Sequence, residues 1–193
     1  MLIDITQELF SCTVFPGDPK PEKKSMMSIE NGDVCNLTAF SMCAHNGTHA
    51  DAPYHFIDDG RTIDELGLEP FVGDCFVVHH DGEVSAADAS EILARASANG
   101  AAERILIGGR ATVTAAAAQV FAEHGIRLLG NESQTVGPED APKEVHLILL
   151  GCGAVLLEGI RLAGVEDGKY LLNAAPLNLG GSDGAPCRAW LMR

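Results

Sequence analysis

Cations are scarce in this chain: 13 Lys and Arg stand against 27 Asp and Glu, for a formal net charge of −14. That balance repels phosphate backbones and anionic lipid surfaces, which excludes nucleic acid and membranes as natural partners. Long apolar runs are missing too, and nothing approaches the length needed to cross a bilayer. The N-terminus shows no basic stretch followed by an apolar one, so no signal peptide is expected. The six cysteines, Cys12, Cys35, Cys43, Cys75, Cys152 and Cys187, form no CxxC pair. That spacing predicts reduced thiols in a cytoplasmic protein, packed mostly as small hydrophobes, with no support for a thiolate nucleophile or zinc ligand. Neither Gly151 to Gly153 nor Gly180 to Gly181 has the spacing or the lysine of a nucleotide-binding loop, which removes that class. Aromatic residues amount to 5%, with a single tryptophan, Trp190, read as core.

What is present suits one domain covering residues 1–193, long enough to bury a core without staples. Hydrophobic residues make up 46% and charged residues 21%, ordinary values for a folded globular chain. Leu2 to Ile5 reads as an opening strand, followed by a proline-rich rigid loop from Phe15 to Pro21. Lys24 to Glu30 and Val34 to Cys43 alternate as strands around a hairpin signal at Asn31 to Asp33. Phe71 to His79, Arg104 to Ile107, Ile126 to Leu129, Ala154 to Glu158 and Tyr170 to Ala174 are further strands. Ser85 to Asn99 is a helix with a Ser85/Asp88 capping pattern and Gly100 as terminator. Thr114 to His124 is a second, ending at Gly125. Pro142 opens a third that carries His146. Strands alternating with helices, without repeats or linkers, predict one mixed α/β domain.

The chemistry concentrates in one run. His45, His49, Asp51 and His55 fall within eleven residues. Gly47 and Pro53 argue against a helix there. In an extended segment His49 and Asp51 point to the same side, and a turn through Asn46 to Thr48 swings His45 beside them. Two imidazoles and a carboxylate suit zinc or manganese and leave coordination sites for water. Any one of these histidines alone reads as a surface or satisfied core residue; their density carries the metal reading. His79 and His80, adjacent on a strand, face opposite ways and read as structural, and His124 suits a helix C-terminus.

The run from His45 to Phe56, His-x-Gly-Thr-His-x-Asp-x-Pro-x-His-Phe, resembles the defining motif of the cyclase-like metal hydrolases, which include bacterial kynurenine formamidases and isatin hydrolases. Ser133 to Pro138 resembles the family's middle motif. Pro176–Leu177 and Asp183 to Ala189 resemble its closing segment, and His146 with Glu158 its second pair of ligands. The resemblance implies a swivelling β/β/α domain assembled into a homodimer or homotetramer, with the substrate loop sometimes shared between subunits. It implies one or two divalent ions per subunit. His45, His49 and Asp51 would hold the first, and Asp51, His146 and Glu158 the second. His55 would carry the proton, and Phe15, Asp18 and Tyr54 would contact a small-molecule substrate. The implied reaction is hydrolysis of an aryl formamide, N-formylkynurenine to kynurenine and formate.

The chain departs from that pattern in three places. The Thr-Gly-Trp segment and aromatic loop expected after Ile107 are replaced by Gly108 to Thr114 running straight into a helix. Phe15 stands where kynurenine formamidases show tryptophan, and Asn131–Glu132 replaces Ile-Asp. Aromatic substrates draw their binding from aromatic walls, and only Phe10, Phe15, Tyr54 and Phe56 are candidates. Another cyclic amide or lactone, a metal-dependent cyclase or dehydratase reaction, and a non-enzymatic metal-stabilised binding protein are the alternatives. Asp183 and Arg188 read equally as groups beside the site or as a terminal turn.

Overall fold

The computed structural model describes residues 1–193. Its strands are β1 (Leu2–Asp4), β2 (Glu22–Met27), β3 (Leu37–Ser41), β4 (His49–Asp51), β5 (Val72–His79), β6 (Gly82–Val84), β7 (Arg104–Gly108), β8 (Ala111–Val113), β9 (Leu128–Asn131), β10 (Val155–Glu158), β11 (Gly168–Asn173), β12 (Gly184–Pro186) and β13 (Trp190–Met192). The helices are α1 (Ala86–Ala98), α2 (Ala115–His124) and α3 (Lys143–Gly151). No helix is long and apolar enough to cross a membrane.

Nine strands form one curled mixed sheet in the order β1-β13-β11-β5-β7-β9-β10-β4-β12. The central four, β5, β7, β9 and β10, are parallel, and each step between them is made by one helix. That is the βαβ crossover that parallel pairing requires. Side-chain parity sorts the core into two layers. Phe76, Val78, Ile105, Ile107, Leu129 and Leu156 pack under the helices with Ile92, Phe121 and Leu149. Their alternates Cys75, Val77, Leu106, Leu128, Val155 and Leu157 pack on the other face with Ile5, Phe71, Leu172 and Leu191. This is the single α/β domain the sequence predicts.

The helix caps are as expected. Ser85 and Asp88 form a reciprocal capping box, and Gly125 ends α2 at φ +77°. The hairpin differs from expectation: its strands are Glu22–Met27 and Leu37–Ser41, separated by a 3-10 turn at Ile29–Asn31 and a left-handed Gly32. Asp33 and Asn36 side chains accept from the Ser28 and Ile29 N–H groups, so local capping lengthens the turn at the strands' expense. The thiols also depart partly from expectation. All six are free, but Cys35 and Cys152 are exposed, because one lies beyond the arm's turn and the other caps α3.

Candidate metal centre

β4 lies between β10 and β12, pairing antiparallel with both. Its register sets Glu158 opposite His49, and Gly184 opposite Asp51. Strand periodicity sends His49 and Asp51 to one face while Ala50 goes into the core. Glu158 ends β10, so the site sits past the carboxyl ends of the parallel strands, where open α/β sheets place their ligands. From α3, His146 closes the remaining side.

The geometry is that of a cation nest. His49 Nε2 is 3.4 Å from Asp51 Oδ1 and 3.5 Å from Glu158 Oε2. His146 Nε2 is 3.3 Å from Glu158 Oε1 and 3.7 Å from Asp51 Oδ2. Ligand arms of about 2.0–2.2 Å at tetrahedral angles put donor atoms roughly 3.3–3.6 Å apart. All four residues are buried. The far ring nitrogens are spoken for: His49 Nδ1 donates to Gly47 O at 3.0 Å, and His146 Nδ1 to Pro142 O at 2.8 Å. Because a carbonyl only accepts, each ring must carry its proton on Nδ1, and the neutral ring turns an Nε2 lone pair onto the carboxylates. His49 Nε2 and Asp51 Oδ2 have no hydrogen-bond partner. A buried polar atom left so costs about 1–3 kcal/mol. Two carboxylates facing two lone pairs call for a divalent cation, and the donor set fits one.

Without a metal, protons take that role. Burial opposes charging His45, but hydrogen bonds to Asp183 and Asp51 outweigh it and push its pKa up to about 11. Burial likewise opposes charging His49, and the Asp51 and Glu158 carboxylates beside it push its pKa up to about 9. Burial would raise Asp51, yet His45 and His49 beside it hold its carboxyl well below the usual range. Binding of a divalent cation by these residues would be coupled to release of these protons.

The loops around the nest are locked to it. Gly47 adopts φ +67°, a left-handed turn that glycine takes without penalty; its carbonyl meets His49 and also accepts from Gln134 Nε2 at 3.1 Å. Val136 N–H donates to Glu158 Oε1 at 2.8 Å. The Phe56 ring stacks on His146, centroids 4.4 Å apart at 30°. A cavity of about 350 Å³ opens on the nest, and His55, Phe15, Asp18, Asp183 and Phe56 are among its walls.

The Cyclase family model matches residues 3–138. Kynurenine formamidase of Salinibacter ruber is 32% identical over 98% of this chain and 96% of its own. That of Sphingopyxis alaskensis is 32% identical over 97% of this chain and 96% of its own. The chain belongs to the cyclase family. A solved structure described as a potential metal-dependent hydrolase with cyclase activity superposes at TM-score 0.84 with 25% identity, covering 99% of this chain and 96% of that one. Isatin hydrolase A of Labrenzia aggregata superposes at TM-score 0.83 with 24% identity, covering 100% and 93%, a likeness of fold.

On this cyclase-family fold the predicted residues His45, His49, Asp51, His55, His146 and Glu158 all converge. His45 stands beside the nest with both ring nitrogens on carboxylates, Nδ1 at 2.8 Å from Asp51 Oδ1 and Nε2 at 2.9 Å from Asp183 Oδ2. Phe15 and Asp18 line the cavity. Tyr54 does not: it is 40% exposed and absent from the walls. It shares the 3-10 turn Pro53–His55, where successive side chains diverge by about a third of a turn, so seating His55 in the cavity leaves Tyr54 outside. His79 is structural as expected, paired with Asp167 at 2.8 Å.

Asp183, left undecided between site and terminal turn, belongs to the site. Besides His45 it meets His55 Nδ1 at 3.3 Å. Arg188, its equal in the sequence reading, instead pairs with Asp4 away from the cavity. Gln134 and Thr135 also line the cavity. Both fall in the Ser133 to Pro138 run that resembles the family's middle motif, to which the sequence reading assigned no individual roles.

Proposed function

We propose that this chain is a metal-dependent amide hydrolase of the arylformamidase type, converting N-formylkynurenine to kynurenine and formate. The observation that carries the reading is the buried nest of His49, Asp51, His146 and Glu158, with its unpartnered His49 Nε2 and Asp51 Oδ2, opening on a cavity beside His55. The names of the relatives support the formamide as substrate.

In this account His45, His49 and Asp51 would hold one divalent ion, zinc or manganese, and Asp51, His146 and Glu158 would complete a place for a second. A divalent ion there would supply Lewis acidity, lowering the pKa of water towards about 7 and polarising a carbonyl. The chain's own groups do the rest. His55 takes a proton from water and returns it to the leaving nitrogen, a transfer that contributes about 10²–10⁴-fold. Phe15 and Phe56 offer apolar walls to the aryl ring, and the Asp18 carboxylate suits the ammonium of an amino-acid substrate.

The protein is further proposed to act in the cytoplasm as a homodimer or homotetramer. The β2–β3 arm supports self-association: Met26, Ile29, Val34, Leu37 and Phe40 are all at least half exposed on it, and an isolated two-stranded hairpin is marginal in water.

The test is release of formate from N-formyl-L-kynurenine by the purified protein, before and after chelation. Chelator-sensitive formate release, one per kynurenine formed, is the expected result. Only Phe15 and Phe56 supply aromatic carbocycles to the cavity, an observation that favours hydrolysis of another cyclic amide or a lactone as the second reading. Activity on those compounds without formamide cleavage would establish it instead.

A further inference from the structure

We infer that Asp183 is a positioning residue that holds His55 in the Nδ1–H tautomer, so that Nε2 is the ring's free base. The inference rests on the hydrolase reading above for its catalytic meaning, but its geometry stands apart from that reading.

One oxygen does two things. Asp183 Oδ2 is 2.9 Å from His45 Nε2 and 3.3 Å from His55 Nδ1. An ionised carboxylate only accepts, so both nitrogens that meet it carry hydrogen. Serving one oxygen from two rings brings the rings together: His45 and His55 stack with centroids 4.0 Å apart at 25°. No hydrogen bond engages His55 Nε2, and His55 lines the cavity. The imidazole that borders the nest and the imidazole that borders the substrate space are thus oriented by the same carboxylate.

The carboxylate itself is fixed by backbone. Asp183 O accepts the Ala52 N–H at 2.9 Å, and Ser182 O accepts the Ile63 N–H at 2.9 Å. The next residue, Gly184, pairs with Asp51 across β12 and β4. A Cβ at Gly184 would come within 2.7 Å of His45 Cε1 and 2.8 Å of Ala50 O, so glycine is what lets this strand approach closely enough for Asp183 to reach both rings. Asp183 therefore moves with β4, the strand that carries His49 and Asp51, and the base is registered to the nest through two adjacent strands.

The role matters because the proton has a fixed route. In formamide hydrolysis water oxygen bonds to the formyl carbon, the C–N bond breaks, and one water proton reaches the amine nitrogen. The second proton leaves with formic acid, which ionises to formate. A base in the other tautomer would present an N–H to the water and could not accept from it.

The experiment uses the full chain loaded with zinc and, in parallel, stripped by chelator. Imidazole ¹⁵N shifts of His55, assigned by their loss in His55→Ala, are compared between the parent and Asp183→Ala. The parent is expected to show a protonated Nδ1 and a bare Nε2, and Asp183→Ala a shift towards the other tautomer. In turnover, Asp183→Ala is expected to lower kcat about 10–100-fold, the usual cost of losing a group that orients a site imidazole, with KM and zinc content little changed. The double variant with His55→Ala should be no slower than His55→Ala alone. An unchanged His55 tautomer in Asp183→Ala overturns the inference. So does loss of zinc with kcat restored by excess zinc, which would make Asp183 a support for His45 only. If the parent cleaves no formamide, the functional reading fails while the tautomer measurement still decides this one.

Discussion

His49 and His55 lie on the same short run yet have different jobs, and the difference is measurable. His49 is 1% exposed with Nε2 facing two carboxylates, whereas His55 is 27% exposed at the cavity. His49→Ala is expected to lower both bound metal and turnover. His55→Ala should keep its metal and lose about 10²–10⁴-fold in kcat, as read by elemental analysis and steady-state kinetics on the same samples. A second residue-scale prediction concerns Asp167, which burial would raise but His79 and Arg95 hold below the usual carboxylate range. A depressed folded-state pKa adds stability above the unfolded value near 3.9, and that stability is lost as pH falls through the folded value. Asp167 is 35% exposed, so screening keeps the contribution below about 1 kcal/mol. Asp167→Asn should thus be slightly less stable than the parent in urea at neutral pH, with the gap closing as pH falls below the unfolded value and through the depressed folded one. The run His45 to His55 was legible in sequence because four candidate donors fall within eleven residues and strand periodicity puts His49 and Asp51 on one face. Asp183 was not, because it reaches His55 only through the β12–β4 pairing across 128 positions.

At the scale of elements, what holds the nest is a crossing of loops at Gly159, just after β10. Gly159 adopts φ +69°. Its N–H donates to Ser133 O at 2.6 Å, and its carbonyl accepts from Thr48 Oγ1 at 2.7 Å and Gln7 Nε2 at 2.8 Å. A Cβ there would strike Gln134 Nε2 and Gly47 O. Gly159→Ala combines left-handed strain of about 1–3 kcal/mol with that collision. It is expected to lower the urea midpoint and the affinity for zinc together, and an unchanged midpoint with full zinc binding would contradict this. The helices were readable because their caps are local: Ser85 with Asp88, Thr114 with Gly125. Three-residue strands such as β6 and β8 were not, since what makes them strands is pairing with each other across distant sequence, and short strands take their identity from partners rather than propensity. The arm's boundaries slipped for the same reason, with side-chain caps at Asp33 and Asn36 deciding the turn.

The whole molecule is a parallel four-strand centre extended by antiparallel strands on both sides, which brings the chain's first strand beside its last. Strand and helix order made the α/β class legible. The return of residues 184–186 to the far edge beside β4 was not, because no local pattern specifies which edge a late strand joins. That return closes the site: the second half of the chain supplies His146, Glu158 and Asp183 to a nest begun by His45 to Asp51. The central claim is that this convergence holds a divalent ion on which hydrolysis depends. Elemental mass spectrometry of the purified chain, chelated and then reconstituted with zinc or manganese, tests it most directly when paired with the formamide assay. The account predicts at least about one ion per subunit, held by His and carboxylate donors that leave a position for water, with ion and hydrolysis removed together and restored together. Failure to take up either ion, or hydrolysis that survives complete removal of metal, would contradict it.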